Sequence, residues 1–254
     1  MSGPGDPIAV TPRQRPAAAR ARAARHGIVA TEAFSRGDAI DRDWMGWGAL
    51  RVLSRQDWAP GATRDDGRVA NMERLLLVLE GALDADCGAL GQRRVEAGGA
   101  LWIGSGHGTW SRLANASHDA QLQLVELWLQ PDRVNAVPTM AAWSARERDG
   151  EPCPGAAEGW ALLPVRQRVT VMTARVEPGE RLGLPDIGGA RCWLEVLAGD
   201  VVVADAAAME HGAVGTPLAS GDGLAWIAGA AGSPVSLAAC GGIPARLLLL
   251  ALPA

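Results

Sequence analysis

Two parts of the chain repeat one arrangement of short apolar segments and glycine turns, and this repetition constrains the fold strongly. Residues 78–83, VLEGAL, correspond to residues 196–201, VLAGDV. Further along each copy, a second glycine turn leads into an apolar segment that ends in Trp-Ile, at residues 97–103 and 221–227. A repeated arrangement of this kind indicates an internal duplication. We therefore expect two structural units of the same type.

Most of the apolar segments have the length of a β-strand. Residues 74–79 form a continuous apolar run after one arginine, and residues 121–129 alternate so that Leu122, Leu124 and Glu126 share one side. Further strand-length segments lie at 46–53, 92–95, 100–103, 111–113, 169–176, 191–197, 201–204, 224–227, 235–239 and 246–250. Many short strands separated by glycine turns are typical of sandwiches and barrels. The sequence predicts an all-β protein made of two small β-barrels.

Shifts in composition and the positions of prolines give the expected domain boundaries. Residues 1–25, rich in Pro, Ala and Arg, are predicted to be a flexible N-terminal tail. The N-terminal barrel is expected over residues 26–133 and the C-terminal barrel over residues 161–254. Residues 134–160 lie between them as a proline-containing connector. The local features predicted within these regions are a turn-rich loop at residues 57–68 and a short helix at residues 140–148.

Composition and charge argue against several classes of function. The net charge of −4 gives no basic field for nucleic acid, and no direct nucleic-acid partner is expected. The four cysteines are widely spaced and form no CxxC pair, which argues against a zinc site and is typical of thiols in a reducing compartment. No apolar run is long enough to span a bilayer, so no membrane partner is expected. We expect a cytoplasmic protein.

Several motifs, taken in their order along the chain, resemble the pirin family. Residues 44–52, WMGWGALRV, are similar to the FMGFGALRV opening of pirins, and residues 71–81, NMERLLLVLEG, are similar to their run DMEIVTYVLEG. Residues 130–132, QPD, match the end of the pirin IWILPD motif, and residues 193–196 resemble part of the second cupin of bacterial pirin-like proteins. The resemblance covers residues 26–253. It implies a monomeric bicupin, with two jelly-roll (cupin) β-barrels in one chain.

The resemblance also implies an activity and a metal site. Pirin-like bicupins of bacteria are described as quercetin 2,3-dioxygenases that hold one divalent metal, commonly iron, in the N-terminal barrel. Three His and one Glu, from an H-P-H and an H-S-E motif, hold the metal and leave positions open for substrate and dioxygen. Carried onto this sequence, the two motifs fall on Gly67, Arg68 and Val69, and on Trp110, Ser111 and Arg112. All four ligands are missing.

A candidate pocket is formed by the positions of the lost ligands and by the polar residues near them. Its members are Gly67, Val69, Glu73, His107, Trp110 and Arg112. No catalytic residue, metal or cofactor is predicted. Arg112 is expected to put a fixed positive charge where the metal cation would be, and Trp110 to fill part of the vacated space. For Glu73, a pair with Arg112 across the barrel mouth and an ordinary position at the start of a strand are both open.

Three hypotheses about function follow, each from a different class. The first is a non-catalytic pirin-like protein that binds a small molecule or a protein partner, with a regulatory role by analogy to vertebrate pirins. The second is a metal-dependent quercetin 2,3-dioxygenase whose ligands lie elsewhere, against which the four unpaired histidines argue. The third is a metal-independent cupin enzyme that uses Glu73, Arg112 or His107.

Overall fold

The computed structural model describes residues 11–144, 159–163, 168–185, 187–206 and 215–253. Within these residues the chain forms strands and two short 3-10 helices, Ala17–Ala19 and Gly88–Leu90, and the predicted all-β class is confirmed. The strands of the first half are β1 Arg13–Arg15, β2 Ala21–Arg25, β3 Ile28–Glu32, β4 Leu50–Trp58, β5 Thr63–Val69, β6 Glu73–Glu80, β7 Ala82–Asp86, β8 Gln92–Glu96, β9 Ala100–Gly104, β10 Thr109–Asn115, β11 Leu122–Leu129 and β12 Thr139–Trp143. Those of the second half are β13 Trp160–Leu163, β14 Thr170–Val176, β15 Arg181–Gly183, β16 Arg191–Ala198, β17 Val201–Asp205, β18 Thr216–Leu218, β19 Gly223–Ile227, β20 Pro234–Ala239 and β21 Ala245–Leu252.

One compact unit, the N-terminal unit, contains residues 18–151 and 161–170. Its seven-stranded sheet has the order β12-β9-β6-β11-β4-β3-β2, and its four-stranded sheet has the order β5-β10-β7-β8. Leu76, Leu101 and Leu124 from the larger sheet belong to the same buried apolar cluster as Leu83 and Leu113 from the smaller one. Because side chains alternate along a strand, the residues in register with this cluster face the barrel interior.

The second compact unit, the C-terminal unit, contains residues 171–254 together with residues 1–17 and 152–160. Its sheets have the orders β1-β19-β16-β21-β14-β13 and β15-β20-β17-β18. Each of the two units thus pairs one larger sheet with one four-stranded sheet. This arrangement is the bicupin architecture that the duplicated sequence predicts.

Matching glycine turns explain why the duplication is visible in the sequence. Gly81 joins β6 to β7 and Gly199 joins β16 to β17, with φ values of +77° and +74°. A Cβ atom at either position would lie within 2.9 Å of a backbone oxygen, so the turn requires glycine. The second glycine turn of each copy is held by an equivalent backbone hydrogen bond. Gly98 N donates to Val78 O and Gly221 N donates to Val196 O, both at 2.8 Å.

The predicted N-terminal tail is wrong over residues 11–25, which form β1 and β2. Strand β1 pairs with β19 of the C-terminal unit, and β2 pairs with β3 of the N-terminal unit. The carboxylate of Asp222 accepts a hydrogen bond from Ala17 N at 2.7 Å and fixes the end of β1. These strands are held by backbone pairing and carry exposed arginines, so they lack the apolar pattern that marks a strand in a sequence. Residues 1–10 lie outside the described part of the chain.

Two local predictions are also wrong. The helix expected at residues 140–148 is replaced over 140–143 by β12, which pairs with β9, and residues 145–148 lie outside the described residues. The loop expected at residues 57–68 is largely strand, because β4 continues to Trp58 and β5 begins at Thr63. Strand β5 is an edge strand with an exposed outer face, and its polar sequence reads as a loop for that reason. No helix among the described residues has the length and apolar character needed to cross a membrane.

Candidate functional site

The interior of the N-terminal barrel contains a buried cluster of charged side chains beside its apolar core. Arg74 follows the first residue of β6 and lies on the same face as Leu76 and Val78, which belong to the core. Glu126 of β11 is directly opposite Leu76 in the strand pairing and shares that face. Both side chains are almost completely excluded from solvent. A buried charge is tolerated only when it is paired and hydrogen-bonded.

The guanidinium of Arg74 is bound on three sides. Its Nη2 lies 2.6 Å from Glu126 Oε1 and 2.7 Å from Asp66 Oδ2, and its Nε donates to the same Glu126 oxygen at 3.0 Å. Its Nη1 donates to Ser111 Oγ at 2.8 Å. Charge-assisted hydrogen bonds of this geometry fix a guanidinium in both position and orientation. Arg74 is therefore a fixed cation inside the barrel, held from β5, β10 and β11.

A second cation, Arg64 on β5, completes the ion network. Its Nη2 lies 2.9 Å from Glu126 Oε2, and its Nε lies 2.7 Å from Asp66 Oδ1. Gln56 links the two sides of the network, because its amide nitrogen donates to Glu126 Oε2 and its carbonyl accepts from Arg64 Nη1, both at 2.9 Å. Trp58 Nε1 donates to the same Gln56 carbonyl. Two arginines and two carboxylates thus neutralise one another.

The network keeps its charges over a wide pH range. Burial alone would raise the pKa of Glu126, but the neighbouring Arg64 and Arg74 outweigh it and hold this pKa well below its usual value. Burial would likewise lower the pKa of Arg74, whereas Glu126 and Asp66 raise it above the usual value. Because the pKa of Glu126 is depressed on folding, its contribution to stability is present above the unfolded value of 4.5 and is lost as the pH falls.

An aromatic ring and a third acidic group extend the network. The guanidinium carbon of Arg74 lies 4.9 Å from the ring centroid of Trp128, and that of Arg36 lies 5.5 Å from it. Trp128 Nε1 donates to Glu126 Oε1 at 2.9 Å. Glu32 accepts from Arg36 and from Ser54, and burial raises its pKa despite the opposing effect of Arg36. The polar interior is thus continuous from β5 to β3.

Arg112 and Trp110, two members of the predicted pocket, lie on the outer surface of the barrel. Both are exposed, whereas Ser111 between them is buried and contacts Arg74. Arg112 lines an outer cleft of about 380 Å³ together with Asp84, Asp86 and Arg94, among other residues. The expectation that Arg112 replaces the metal cation and that Trp110 fills the vacated space is therefore wrong. Side chains alternate along a strand, so an error of one position in register reverses the face.

Gly67 and Val69 lie at an irregularity in the pairing of β5 with β10. Val69 pairs with Thr109, and the register shifts between Trp110 and Arg112, so one additional residue of β5 is accommodated there. Gly67 has a φ of +62°, which favours glycine, and its N–H donates to Asp65 Oδ1 at 2.8 Å. Val69 is half-buried. The bulge lies immediately next to Asp66, whose carboxylate faces inward.

His107 and Glu73 lie away from the buried ion network. His107 is exposed in a loop, where its carbonyl accepts from Arg68 and its N–H donates to Ala136 O at 2.8 Å. Glu73 precedes Arg74 and therefore points to the opposite face of β6, next to Gly104. The six residues of the predicted pocket do not form one site. No contact between Glu73 and Arg112 is present among the described residues.

The pKa of Glu73 is raised by its own surroundings, independently of the ion network. Its carboxyl group is buried, and its Oε2 has no hydrogen-bond partner among the described residues. Burial, with a further contribution from the charge of Asp132, raises the pKa of Glu73 from 4.5 to about 7. A carboxyl group in this state is partly protonated at neutral pH.

The residues of the ion network were missed by sequence reasoning, although two signals pointed to them. Arg74 comes directly before an apolar run whose residues are all buried up to Val78. Such a pattern predicts that its side chain lies in the barrel interior or at the open end of the barrel. Glu126 alternates with Leu122 and Leu124, which predicts a shared inward face. Nothing in the sequence indicated that Asp66 and Arg64, in a segment interpreted as a loop, would complete the network.

The residues of the barrel interior do not fit a metal ion. Among the residues that the structure describes, no group of three or more His, Cys, Asp or Glu side chains is placed to hold a metal. The carboxylates of the polar interior, Asp66, Glu126 and Glu32, are each bound to arginine. A guanidinium has no lone pair to offer a metal and repels a cation. The inward residue of β10 at the predicted motif is Ser111, which is a poor ligand for a divalent transition metal.

Removing the central cation should destabilise the protein strongly. Arg74→Met leaves Glu126 and Asp66 with Arg64 as their only arginine partner within the network, and we expect a loss of about 3–5 kcal/mol in the free energy of unfolding. Urea denaturation followed by circular dichroism measures the loss. Arg112→Met is the matched control, because Arg112 is exposed, and it should change stability by less than about 0.5 kcal/mol. Equal stability of the two variants would contradict the description of the network.

Replacing Glu73 should stabilise the protein, but only at neutral and alkaline pH. The raised pKa means that the protonated form of Glu73 is favoured on folding, so stability is fully present below pH 4.5 and falls as the pH rises through about 7. Glu73→Gln should therefore gain about 1–3 kcal/mol at pH 8 and little at pH 4.5. Thermal unfolding at the two pH values tests this, with the exposed Glu96→Gln as control. A gain that is the same at both pH values would contradict it.

Comparison with known proteins gives related chains and related structures. No family model matches the chain. YhaK of Escherichia coli, named a pirin-like protein, is 28% identical over 174 residues, which cover 68% of this chain and 73% of YhaK. A protein of Zymomonas mobilis, named provisionally as a quercetin 2,3-dioxygenase, is 24% identical over 202 residues, which cover 76% of this chain and 84% of that protein.

Solved structures share the fold. YhhW of Escherichia coli superposes with a TM-score of 0.78 and 21% identity, covering 96% of this chain and 98% of YhhW. A complex of the bacterial pirin YhhW with nickel(II) gives a TM-score of 0.76 and 23% identity, with 96% and 99% of the two chains covered. The crystal structure of YhaK gives a TM-score of 0.64 and 24% identity, with 92% and 94% covered. At these identities, the structural likeness establishes the fold.

Proposed function

This chain is a relative of the pirin-like proteins and has their bicupin fold, and from this premise we propose that it is a binding protein rather than a dioxygenase. In this proposal the N-terminal barrel holds no metal, and the protein binds a small molecule or a protein partner. A monomeric state, a cytoplasmic location and a regulatory role belong to the same proposal. They come from the sequence and from analogy with pirins.

The observation that carries the proposal is the position of Arg74. The resemblance to pirins places a metal in the N-terminal barrel on residues of two neighbouring strand segments. Next to the positions of the missing ligands, the inward residues are Asp66 on β5 and Ser111 on β10, and both bind the guanidinium of Arg74. A positive charge that is already fixed and neutralised at this place leaves neither the ligands nor the negative potential that a divalent cation needs.

The alternative is the dioxygenase function suggested by the names of related proteins. The Zymomonas mobilis relative is named provisionally for quercetin 2,3-dioxygenase, and YhhW was crystallised with nickel(II). A metal-dependent oxygenase needs several open coordination positions and at least three strong ligands. The carboxylates in the described interior of the N-terminal barrel, Asp66, Glu126 and Glu32, are each paired with arginine.

Metal analysis of the purified protein tests the proposal directly. After incubation with iron(II) or nickel(II) and removal of free metal, elemental mass spectrometry should find much less than a stoichiometric amount. The absorbance of quercetin should not decrease faster with the incubated protein than with buffer. Stoichiometric metal together with loss of quercetin would establish the dioxygenase function. Loss of quercetin that persists with chelator would instead indicate a metal-independent enzyme.

A double variant and a triple variant together test whether Arg74 prevents metal binding in the N-terminal barrel. Val69→His and Ser111→His place two imidazoles near Asp66, which together are a frequent ligand set for divalent metals. With Arg74→Leu added, Asp66 loses one arginine partner and the interior loses one positive charge. We expect the triple variant to bind nickel(II) at least about tenfold more tightly than the double variant that keeps Arg74.

The matched control uses positions on the outer face of the same strand. Trp110→His and Arg112→Glu would restore two ligands at the positions that the pirin motif assigns to them. These substitutions should give no metal site, because both side chains point away from the interior. Isothermal titration calorimetry with nickel chloride compares all variants. Equal affinity with and without Arg74 would mean that this residue does not control metal binding.

A further inference from the structure

One edge of the seven-stranded sheet in the N-terminal unit is open along strand β2, Ala21–Arg25. Strand β2 pairs with β3 on one side, and no strand of the described residues pairs with its other side. Residues 22–25 are exposed to solvent. An open edge strand presents backbone N–H and C=O groups that can pair with another extended segment.

The hydrogen bonds between β3 and β4 show which backbone groups of β3 are left for β2. Gly27 O accepts from Ala59 N at 2.8 Å at one end of β3. Ala33 N donates to Leu53 O at 2.9 Å at the other end. The odd-numbered residues of this segment therefore bond to β4, and its even-numbered residues bond to β2.

The register of β2 with β3 then identifies the free groups of β2. The even-numbered residues of β3 are in register with residues 21, 23 and 25 of β2, whose N–H and C=O groups bond within the hairpin. The backbone N–H and C=O groups of Arg22 and Ala24, between these residues, point to the open edge. Two residues thus offer four backbone groups to an added strand.

The hairpin of β2 and β3 is regular, so the open edge is a straight and continuous one. The two turn residues, His26 and Gly27, have φ values of +51° and +77°, and positive φ at both positions is typical of a type I′ turn. The pairing of β2 with β3 keeps one register and contains no bulge. Strand β2 contains no proline. The backbone irregularities that often protect an edge strand are therefore absent from β2.

The charge of this edge is positive. Arg22 makes no hydrogen bond or ion pair with any residue that the structure describes. Arg25 Nη2 lies 3.3 Å from Asp38 Oδ2, but these side chains are 76% and 96% exposed, and an exposed pair of this kind is weak. Between Asp6 and Glu32 the sequence contains no acidic residue. The other residues of β2 are alanines, whose small side chains leave the backbone accessible.

These charges determine which kind of segment can add to the edge. A second copy of β2 would bring arginines close to arginines, and like charges on neighbouring strands destabilise the pairing. An acidic segment would instead place carboxylates against the guanidinium groups and form charge-assisted hydrogen bonds. Because Arg22 and Arg25 are three positions apart, the matching carboxylates are also three positions apart on the added strand.

We propose that β2 binds an extended acidic segment of another protein, which adds to the seven-stranded sheet and places carboxylates three positions apart against Arg22 and Arg25. The backbone of Arg22 and Ala24 supplies the strand pairing, and the two arginines select the charge of the partner. This inference rests on the proposed function, because it gives the chemical class of the protein partner.

Peptides of equal length and different charge test the proposal. The peptide acetyl-Thr-Val-Glu-Val-Thr-Glu-Val-Thr-amide has the required spacing, and fluorescence anisotropy of its labelled form with the full chain should show saturable binding. The same peptide with lysine in place of glutamate should bind at least about tenfold more weakly. Proline in place of the central Val and Thr keeps the charge and removes two N–H donors, and it should weaken binding to a similar degree.

Two outcomes of this titration would overturn the proposal. One is the absence of binding by the acidic peptide. The other is equal binding of the acidic peptide and its proline form, because it would show a site for polyanions without strand pairing.

Variants of the protein locate the binding site at β2. Arg22→Glu should weaken binding of the acidic peptide at least about tenfold. Arg93→Glu is the matched control, because Arg93 is an exposed arginine on β8, the edge strand of the other sheet, and it should leave the affinity unchanged. Ala24→Pro removes an N–H that points to the open edge, so the hairpin should still fold while peptide binding falls at least about tenfold. Circular dichroism checks the fold, and affinity retained by both Arg22→Glu and Ala24→Pro would refute the site.

Amide hydrogen exchange followed by NMR reports on the strand pairing itself. The N–H groups of Arg22 and Ala24 should exchange rapidly in the free protein and at least about tenfold more slowly with saturating peptide. The N–H of Ala23, which bonds within the hairpin, should change less. Unchanged exchange of Arg22 and Ala24 in the saturated complex would contradict strand addition.

Sedimentation velocity tests whether a second copy of the chain occupies the edge instead. The free protein should sediment as a monomer. A dimer that Ala24→Pro dissociates would show pairing between two copies and would overturn the proposal.

The result can be separated from that of the proposed function. Elemental analysis and the quercetin assay report on the N-terminal barrel interior, whereas the peptide titration reports on the β2 edge. Metal-free protein that does not bind the acidic peptide would overturn only the inference about β2. Stoichiometric metal with loss of quercetin, together with peptide binding at β2, would overturn only the assignment as a metal-free protein without dioxygenase activity.

Discussion

The interior of the N-terminal barrel depends on one interaction, the binding of the Arg74 guanidinium by the carboxylates of Glu126 and Asp66. Four strands contribute to it, because Arg74 is on β6, Glu126 on β11, Asp66 on β5 and Ser111 on β10. Burying one of these charges alone would cost several kcal/mol, so the group is stable only as a set. The network therefore fixes the relative register of strands from both sheets of the barrel.

The two units have the same architecture and different interiors. In the N-terminal unit, charged side chains reach into the core from β5, β6 and β11. In the described part of the C-terminal unit, the buried carboxylate of Glu195 accepts a hydrogen bond from Trp193 Nε1 at 3.0 Å. A duplicated fold places equivalent positions at the same points of the barrel, and substitution of those positions changes the chemistry without changing the scaffold.

The sequence predicted the fold well because the signals for it are local. Glycine turns such as Gly81 and Gly199, and continuous apolar runs such as that of β6, identify strands and their connections directly. Strands β1, β2 and β5 were missed because backbone pairing holds them and exposed polar residues fill their outward positions. Their partners are distant in sequence, so no local pattern marks them.

The site was predicted less well, for a geometric reason. On β10, the positions assigned to lost ligands, Trp110 and Arg112, are exposed, and the buried residue is Ser111 between them. Side chains alternate along a strand, so a shift of one residue in the assignment exchanges the buried face for the exposed face. The bulge beside Gly67 also shifts the pairing of β5 with β10 by one residue, and the spacing of the sequence motifs does not reveal this shift. Arg74 and Glu126 could be suspected from their apolar neighbours, but their pairing depends on contacts between strands that are far apart in the chain.

The position of β1 in the sheet of the C-terminal unit has a consequence for how the molecule is made. Ala17 and Asp222, which hydrogen-bond to each other, are separated by 205 positions in the chain. During synthesis from the N-terminus, β1 leaves the ribosome long before its partner β19 exists. The N-terminal unit can therefore form while the segment before it is still unpaired. The C-terminal sheet can be completed by β1 only after β19 has been synthesised, and this pairing joins two segments that are distant in the chain.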